Sequence, residues 1–318
     1  DRLCTAGGRD PVGLPPEYKT ETKEEIQMKN KLTGIIPALL TPFDENGNIN
    51  TVALERLIDW NIEKGVNGFY VGGSTAEAFL LTESERNLVY EVAAKAAGGR
   101  VPLIAHVGSI STDQAIRFAK TAERLGYDAV SAIAPFYYKF SFAQIRQYYF
   151  DIAGATGLPM IIYNFPNFSG VNLTVEQVAE FFADERFIGI KHTSNDFFSL
   201  EQFKKRFPDK TILNGFDEML LAGLSMGADG GIGSTYNLMA EKYIELIRLF
   251  RAGQTDRALV IQDECNRIIR ALCRVGVMEG EKEVLCQLGF AFGGARRPFS
   301  KLTAEQKAFL KAEITDRL

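Results

Sequence analysis

The sequence predicts an α/β fold: a (β/α)8 TIM barrel with additional C-terminal helices. Three observations carry this. Eight short apolar runs alternate with amphipathic segments between residues 31 and 253. Each run is apolar through most of its length rather than at every second residue, as in parallel strands buried on both faces. After residue 254 the apolar runs stop and only helical spacing continues.

In order, the runs are "GIIPALL" (34–40), "GFYV" (68–71), "PLIAHV" (102–107), "AVSAIA" (129–134), "PMIIYN" (159–164), "FIGIK" (187–191), "TILNG" (211–215) and "DGGIG" (229–233). The first helical segment, 51–65, places Val52, Leu54, Leu57, Ile58, Trp60 and Ile62 at helical spacing and ends at Gly65. The next, 82–99, opens with Thr82 and Glu85, a capping box. Segments 111–126, 141–157 and 239–253 show the same spacing. A doubly wound open sheet is the alternative, but it calls for a Gly-rich turn after the first strand. The chain reads "TPFDENGNI" there. Residues 254–318 read as a helical extension. Residues 1–30, rich in Gly, Pro and charge, read as a disordered leader outside the fold.

Composition narrows the function classes. With 318 residues, 46% hydrophobic, and a formal net charge of -4, the chain has ordinary globular composition. The mild acidity gives no support to nucleic acid or an anionic membrane as partner. No stretch approaches the ~20 apolar residues of a membrane span. A cytoplasmic location is therefore expected. Cys4, Cys265, Cys273 and Cys286 form no CxxC pair, and His106 and His192 are the only histidines. No metal site is expected, and the thiols read as reduced and buried.

Barrel chemistry sits at the C-terminal ends of the strands. Lys191 closes the sixth run, where burial would lower its pKa and expose a neutral, nucleophilic amine. The alternative is a lysine that snorkels into water. Tyr163 ends the preceding run and should neighbour it, as a proton shuttle or as a core aromatic. Gly72, Gly73, Ser74 and Thr75 end the second run. They read either as a carboxylate-binding turn or as a strand-to-helix turn capped by its hydroxyls. Asp217 and Glu218 follow the seventh run, as helix caps or as ligands for sugar hydroxyls. The two histidines read as structural, His192 pointing away from the barrel axis.

These residues bring a resemblance into view. From about residue 31 to 318 the chain resembles the pyruvate-dependent class I aldolases of the N-acetylneuraminate lyase and dihydrodipicolinate synthase superfamily. The motifs are "GGSTAE", "YNFP" followed by "SGV", and "GIKHTS". "YVGGSTAEAF", "DAVSAIAPFYYKFSF", "NGFDEML" and "GADGGIGSTYN" are similar to the lyase branch. The resemblance implies a barrel that is a homotetramer and uses neither metal nor organic cofactor, only a Schiff base with the substrate. It implies Lys191 as the Schiff-base lysine, Tyr163 as the proton-transfer residue, and Ser74 and Thr75 as the pyruvate-carboxylate site, with Ser74 also in the relay. Tyr137 matches a tyrosine supplied by a neighbouring subunit. Thr193, Gly215, Asp217, Glu218 and Ser234 match the binding site for the sugar tail.

The implied activity is aldol cleavage of N-acetylneuraminate, a sialic acid, to N-acetylmannosamine and pyruvate. The alternatives are a 2-keto-3-deoxy sugar acid aldolase, a dihydrodipicolinate synthase, or a barrel that binds a sugar or keto acid without turnover. Phe168 stands where the synthases place an arginine for a second carboxylate, which favours the lyase. Ala76 stands where the family turn has its second glycine. A positive φ there would strain alanine by roughly 1 kcal/mol or more.

Overall fold

The computed structural model describes residues 32–318, so the expected leader at 1–30 lies outside the described residues. All eight expected strands form: β1 (Gly34–Pro37), β2 (Phe69–Val71), β3 (Leu103–His106), β4 (Ala129–Ile133), β5 (Met160–Asn164), β6 (Phe187–His192), β7 (Thr211–Asn214) and β8 (Gly230–Gly233). They pair in parallel in the order β1-β8-β7-β6-β5-β4-β3-β2. A parallel bridge between Ala38 and Tyr70, with the Leu39 N–H donating to the Tyr70 carbonyl at 2.9 Å, joins the two ends. The sheet thus becomes a barrel.

Helices follow the strands: α1 (Thr51–Glu63), α2 (Glu83–Ala97), α3 (Thr112–Arg124), α4 (Phe142–Gly154), α5 (Val175–Phe182), α6 (Phe197–Arg206), α7 (Leu220–Ser225) and α8 (Tyr236–Arg251). The capping box at α2 forms as expected: the Thr82 hydroxyl accepts from the Glu85 N–H, and the Glu85 carboxylate accepts from the Thr82 N–H. Each helix lays its apolar stripe against the outside of the strands, in one continuous core that includes Leu54, Val89, Phe118, Tyr149, Phe181 and Phe203. The inside of the barrel is a separate, smaller cluster built from Ile36, Tyr70, Ile104, Ile161, Leu213 and Ile232.

Glycines let β1 and β8 approach. At Gly230 a Cβ would lie 2.1 Å from the Gly34 carbonyl oxygen, so no side chain fits between the two backbones. Beyond the barrel come α9 (Thr255–Cys273), α10 (Val277–Gln287) and α11 (Ala304–Glu313). This is the expected extension.

Two expectations need correction. Of the described cysteines only Cys265 is buried, while Cys273 is exposed and Cys286 half-buried. Cys273 is the last residue of α9 and faces the open cavity at the ends of the strands instead of the core. Asp217 and Glu218 do not cap the helix after β7: they lie in a 3-10 turn, Asp217–Met219, and neither side chain caps it or α7. No helix of the described residues is long and apolar enough to cross a membrane.

Candidate active site

The ends of the strands open into a cavity of about 760 Å³. Nine of the ten expected site residues line it: Ser74, Thr75, Tyr163, Lys191, Thr193, Gly215, Asp217, Glu218 and Ser234. The tenth, Tyr137, does not. It stands 84% exposed, with φ +79°, against the ring of Tyr138. A non-glycine residue held there is uncommon, and such strain gathers at functional sites.

Register brings the central pair together. Tyr163 of β5 and Lys191 of β6 are paired residues on adjacent strands. The Lys191 Nζ lies 4.2 Å from the centroid of the Tyr163 ring and 4.6 Å from that of Tyr70. Lys191 is only 5% exposed, so it does not snorkel. Burial lowers its pKa to about 7, with the Asp217 charge acting in the opposite direction. Near neutrality a large share of the amine is uncharged.

Burial pushes the Tyr163 phenol well above its usual range, against the nearby hydroxyls of Ser74 and Thr193. Neither hydroxyl makes a well-formed hydrogen bond within the chain, although both are buried. Buried polar atoms are seldom left so. Ser74 begins a 3-10 turn, Ser74–Ala76, whose N-cap is Gly73 with no side-chain hydrogen bond. The reading of Ser74 and Thr75 as caps is therefore overturned. The first N–H groups of such a turn have no carbonyl of their own to meet.

Ala76 lies inside that turn without a positive φ, so the feared strain is absent. The left-handed residue is its neighbour Glu77, at φ +57°. Glu77 is held there by a fully buried ion pair with Lys282 of α10 and by the Arg296 N–H, which donates to it at 2.6 Å. Thr41 also donates to the Ala76 carbonyl at 2.8 Å.

Asp217, whose charge acts on the amine, lines the same cavity. Burial raises its pKa to about 6, against hydrogen bonds from Thr235. The Thr235 N–H and hydroxyl donate to one carboxylate oxygen at 2.7 and 2.6 Å. Gly233 makes room, because a Cβ there would fall 1.6 Å from the other oxygen. A Cβ on Gly215 would likewise fall 1.8 Å from the Thr193 hydroxyl. Phe168 lines the mouth, its ring 4.2 Å from that of Phe165.

Both histidines have their ring nitrogens committed. His106 is buried and neutral: Nδ1–H donates to the Gly72 carbonyl at 3.0 Å, and Nε2 accepts from the Ile133 N–H at 3.2 Å. It ties β2, β3 and β4 together behind the site. His192 lies outside the barrel against Phe203, bonded to Asn164 and the Asp196 carbonyl. Among the described residues no three His, Cys, Asp or Glu side chains gather as metal ligands.

The dihydrodipicolinate synthetase family model matches residues 31–317. The chain belongs to that family. It is 43% identical over 287 residues to the N-acetylneuraminate lyase of Citrobacter koseri, covering 90% of this chain and 97% of that one. Among solved structures, CdNal from Clostridium difficile in complex with mannosamine superposes with a TM-score of 0.88 at 39% identity, over 90% of this chain and 99% of that one. N-acetylneuraminate lyase from Fusobacterium nucleatum complexed with pyruvate gives a TM-score of 0.87 at 40% identity, over 91% and 98%.

Sequence reasoning missed what the extension brings to the family's barrel. Glu281 of α10 lines the cavity, fully buried, and Lys282 reaches Glu77. A signal was present: Glu281 falls on the apolar stripe of α10, with Val277, Val284 and Leu285. A charge on such a stripe is a buried charge in need of a reason.

Proposed function

We propose that this chain cleaves N-acetylneuraminate to N-acetylmannosamine and pyruvate through a Schiff base on Lys191. The observation that carries this is a buried amine, uncharged in large share near neutrality, beside a protonated phenol in a cavity whose Ser74 and Thr193 hydroxyls have no well-formed hydrogen bond. The activity printed for its relatives supports the same reading. Phe168 disfavours a synthase, since an apolar ring cannot pair a second carboxylate.

The open-chain substrate places its carboxylate on Ser74 and Thr75. The neutral Lys191 amine adds to the C2 ketone, and loss of water leaves an iminium. The C4 hydroxyl then gives up its proton, and the C3–C4 bonding pair moves toward the iminium, leaving an enamine and the aldehyde of N-acetylmannosamine. A phenol held above its usual range is no standing base. Tyr163 passes its own proton toward Ser74, the substrate carboxylate and Tyr137 as it receives the C4 proton. Protonation of the enamine and hydrolysis release pyruvate and regenerate the amine. The iminium is itself the electron sink, so the proposal needs no metal or organic cofactor.

Tyr137 enters from a neighbouring subunit in this reading, the assembly being a homotetramer that works in the cytoplasm. Thr193, Gly215, Asp217, Glu218 and Ser234 hold the sugar tail. The test is pyruvate release from N-acetylneuraminate, followed with lactate dehydrogenase. Release should vanish in Lys191→Ala, and a variant that keeps substantial turnover would overturn the assignment.

A further inference from the structure

Glu281 is a buried carboxyl with no well-formed hydrogen bond in the protein. Its residue is 0% exposed, both oxygens are buried, and neither has a well-formed hydrogen bond. The Ser234 hydroxyl acts on it only as a weak hydrogen-bond donor, and the Asp217 carboxyl lies close enough to oppose its ionisation. The helix that carries it lies outside the barrel proper, yet its side chain lines the cavity alongside Ser234, Ile269, Cys273 and Val277. A buried carboxyl so poorly satisfied costs stability, and an apolar residue would pack there at no such cost. Its presence calls for a ligand group.

We infer that Glu281 is a specificity-determining residue, which hydrogen-bonds a hydroxyl at the far end of the substrate's polyol tail. The inference deepens the lyase reading and rests on it. Geometry supports a tail contact: the keto-acid end is assigned to Ser74, Thr75 and Lys191, and Glu281 lies beside Ser234, which is assigned to the tail. Chemistry supports a neutral hydroxyl partner over a cation, because burial raises the Glu281 pKa to about 8, so the group is mostly protonated at neutral pH. A carboxylic acid both donates to a hydroxyl and accepts from one.

The experiment compares two substrates in each variant: N-acetylneuraminate, and its seven-carbon analogue, made by periodate oxidation and borohydride reduction of the methyl glycoside followed by removal of the glycoside to restore the C2 ketone, which lacks the last two carbinols. The quantity read is the ratio of kcat/KM for the long tail to that for the short one. This ratio is independent of how much of a preparation is folded. In Glu281→Leu it should fall by about 10-fold, the worth of one lost hydrogen bond in a dry site. The loss should sit in KM. Glu281→Gln, which can still donate and accept, should stay within about 3-fold of the parent, since only a fraction of that bond is at stake. An unchanged ratio in Glu281→Leu overturns the inference while pyruvate release by the parent leaves the lyase reading standing. A loss in Glu281→Gln as large as in Glu281→Leu overturns the neutral hydroxyl contact. No release by the parent overturns both.

Discussion

A lysine amine at the base of a cavity is useful only in the form that water disfavours. Lys191 reaches that form by burial, with a pKa near 7 in place of the ordinary 10.5. Two consequences follow at the residue scale. The rate at which pyruvate is captured on Lys191, trapped with borohydride, should rise with pH through about 7, as the amine loses its proton. A pH-independent rate between 6 and 8 would contradict this. The second consequence concerns stability. The folded pKa lies below the unfolded one, so between about pH 7 and 10.5 the unfolded chain holds more protons, and stability should rise with pH across that window. Below pH 7 the cost is fully present. At about 1.4 kcal/mol per pKa unit it is on the order of 5 kcal/mol. Lys191→Met should therefore melt several degrees above the parent at pH 7 while losing all turnover. A lower melting temperature would show that the amine is not desolvated.

At the element scale the decisive connection runs between the turn after β2 and helix α10. Residues 74–77 carry the proposed carboxylate site, and Glu77 must hold a left-handed conformation to end it. Lys282 clamps that residue, with both side chains wholly buried. Removing one partner of such a pair leaves an uncompensated charge, at a cost of roughly 3–5 kcal/mol. Lys282→Met should lower the melting temperature sharply and weaken pyruvate capture. Pairing it with Glu77→Gln should recover part of the stability. A single variant that melts within a degree of the parent would show that the clamp is dispensable. Ala76 illustrates the same point from the other side. Its neighbourhood in the sequence suggested strain, but the turn places the positive φ one residue later, where the ion pair holds it.

Across the whole molecule the cavity is lined by the barrel and its extension, and Tyr137 is exposed and does not line the cavity of its own chain. If a neighbouring subunit supplies it, two inactive proteins should complement. Lys191→Ala keeps an intact Tyr137, and Tyr137→Ala keeps an intact Lys191. Co-expressed as mixed assemblies they should recover a measurable fraction of parental turnover, whereas each alone should not. No recovery from assemblies shown to be mixed would place Tyr137 in its own subunit's chemistry or outside it.

Much of this was written locally in the chain. The eight strands, the principal helices and the capping box at Thr82 follow from apolar spacing and a few capping residues, because these depend on neighbours within a turn or a strand. Even the meeting of Tyr163 and Lys191 was readable, since successive strands of a parallel barrel pair in register. Tertiary structure alone decided the rest. Glu77 and Lys282 are 205 residues apart in the chain. No periodicity couples residues at that distance; only the packing of α10 against the barrel brings them into contact. The same packing places Glu281 at the cavity and withholds water from it, which favours the protonated form of an otherwise ordinary helix glutamate. Sequence spacing determines which face of a helix is buried. What that face meets, and therefore what its charges become, is settled by the fold.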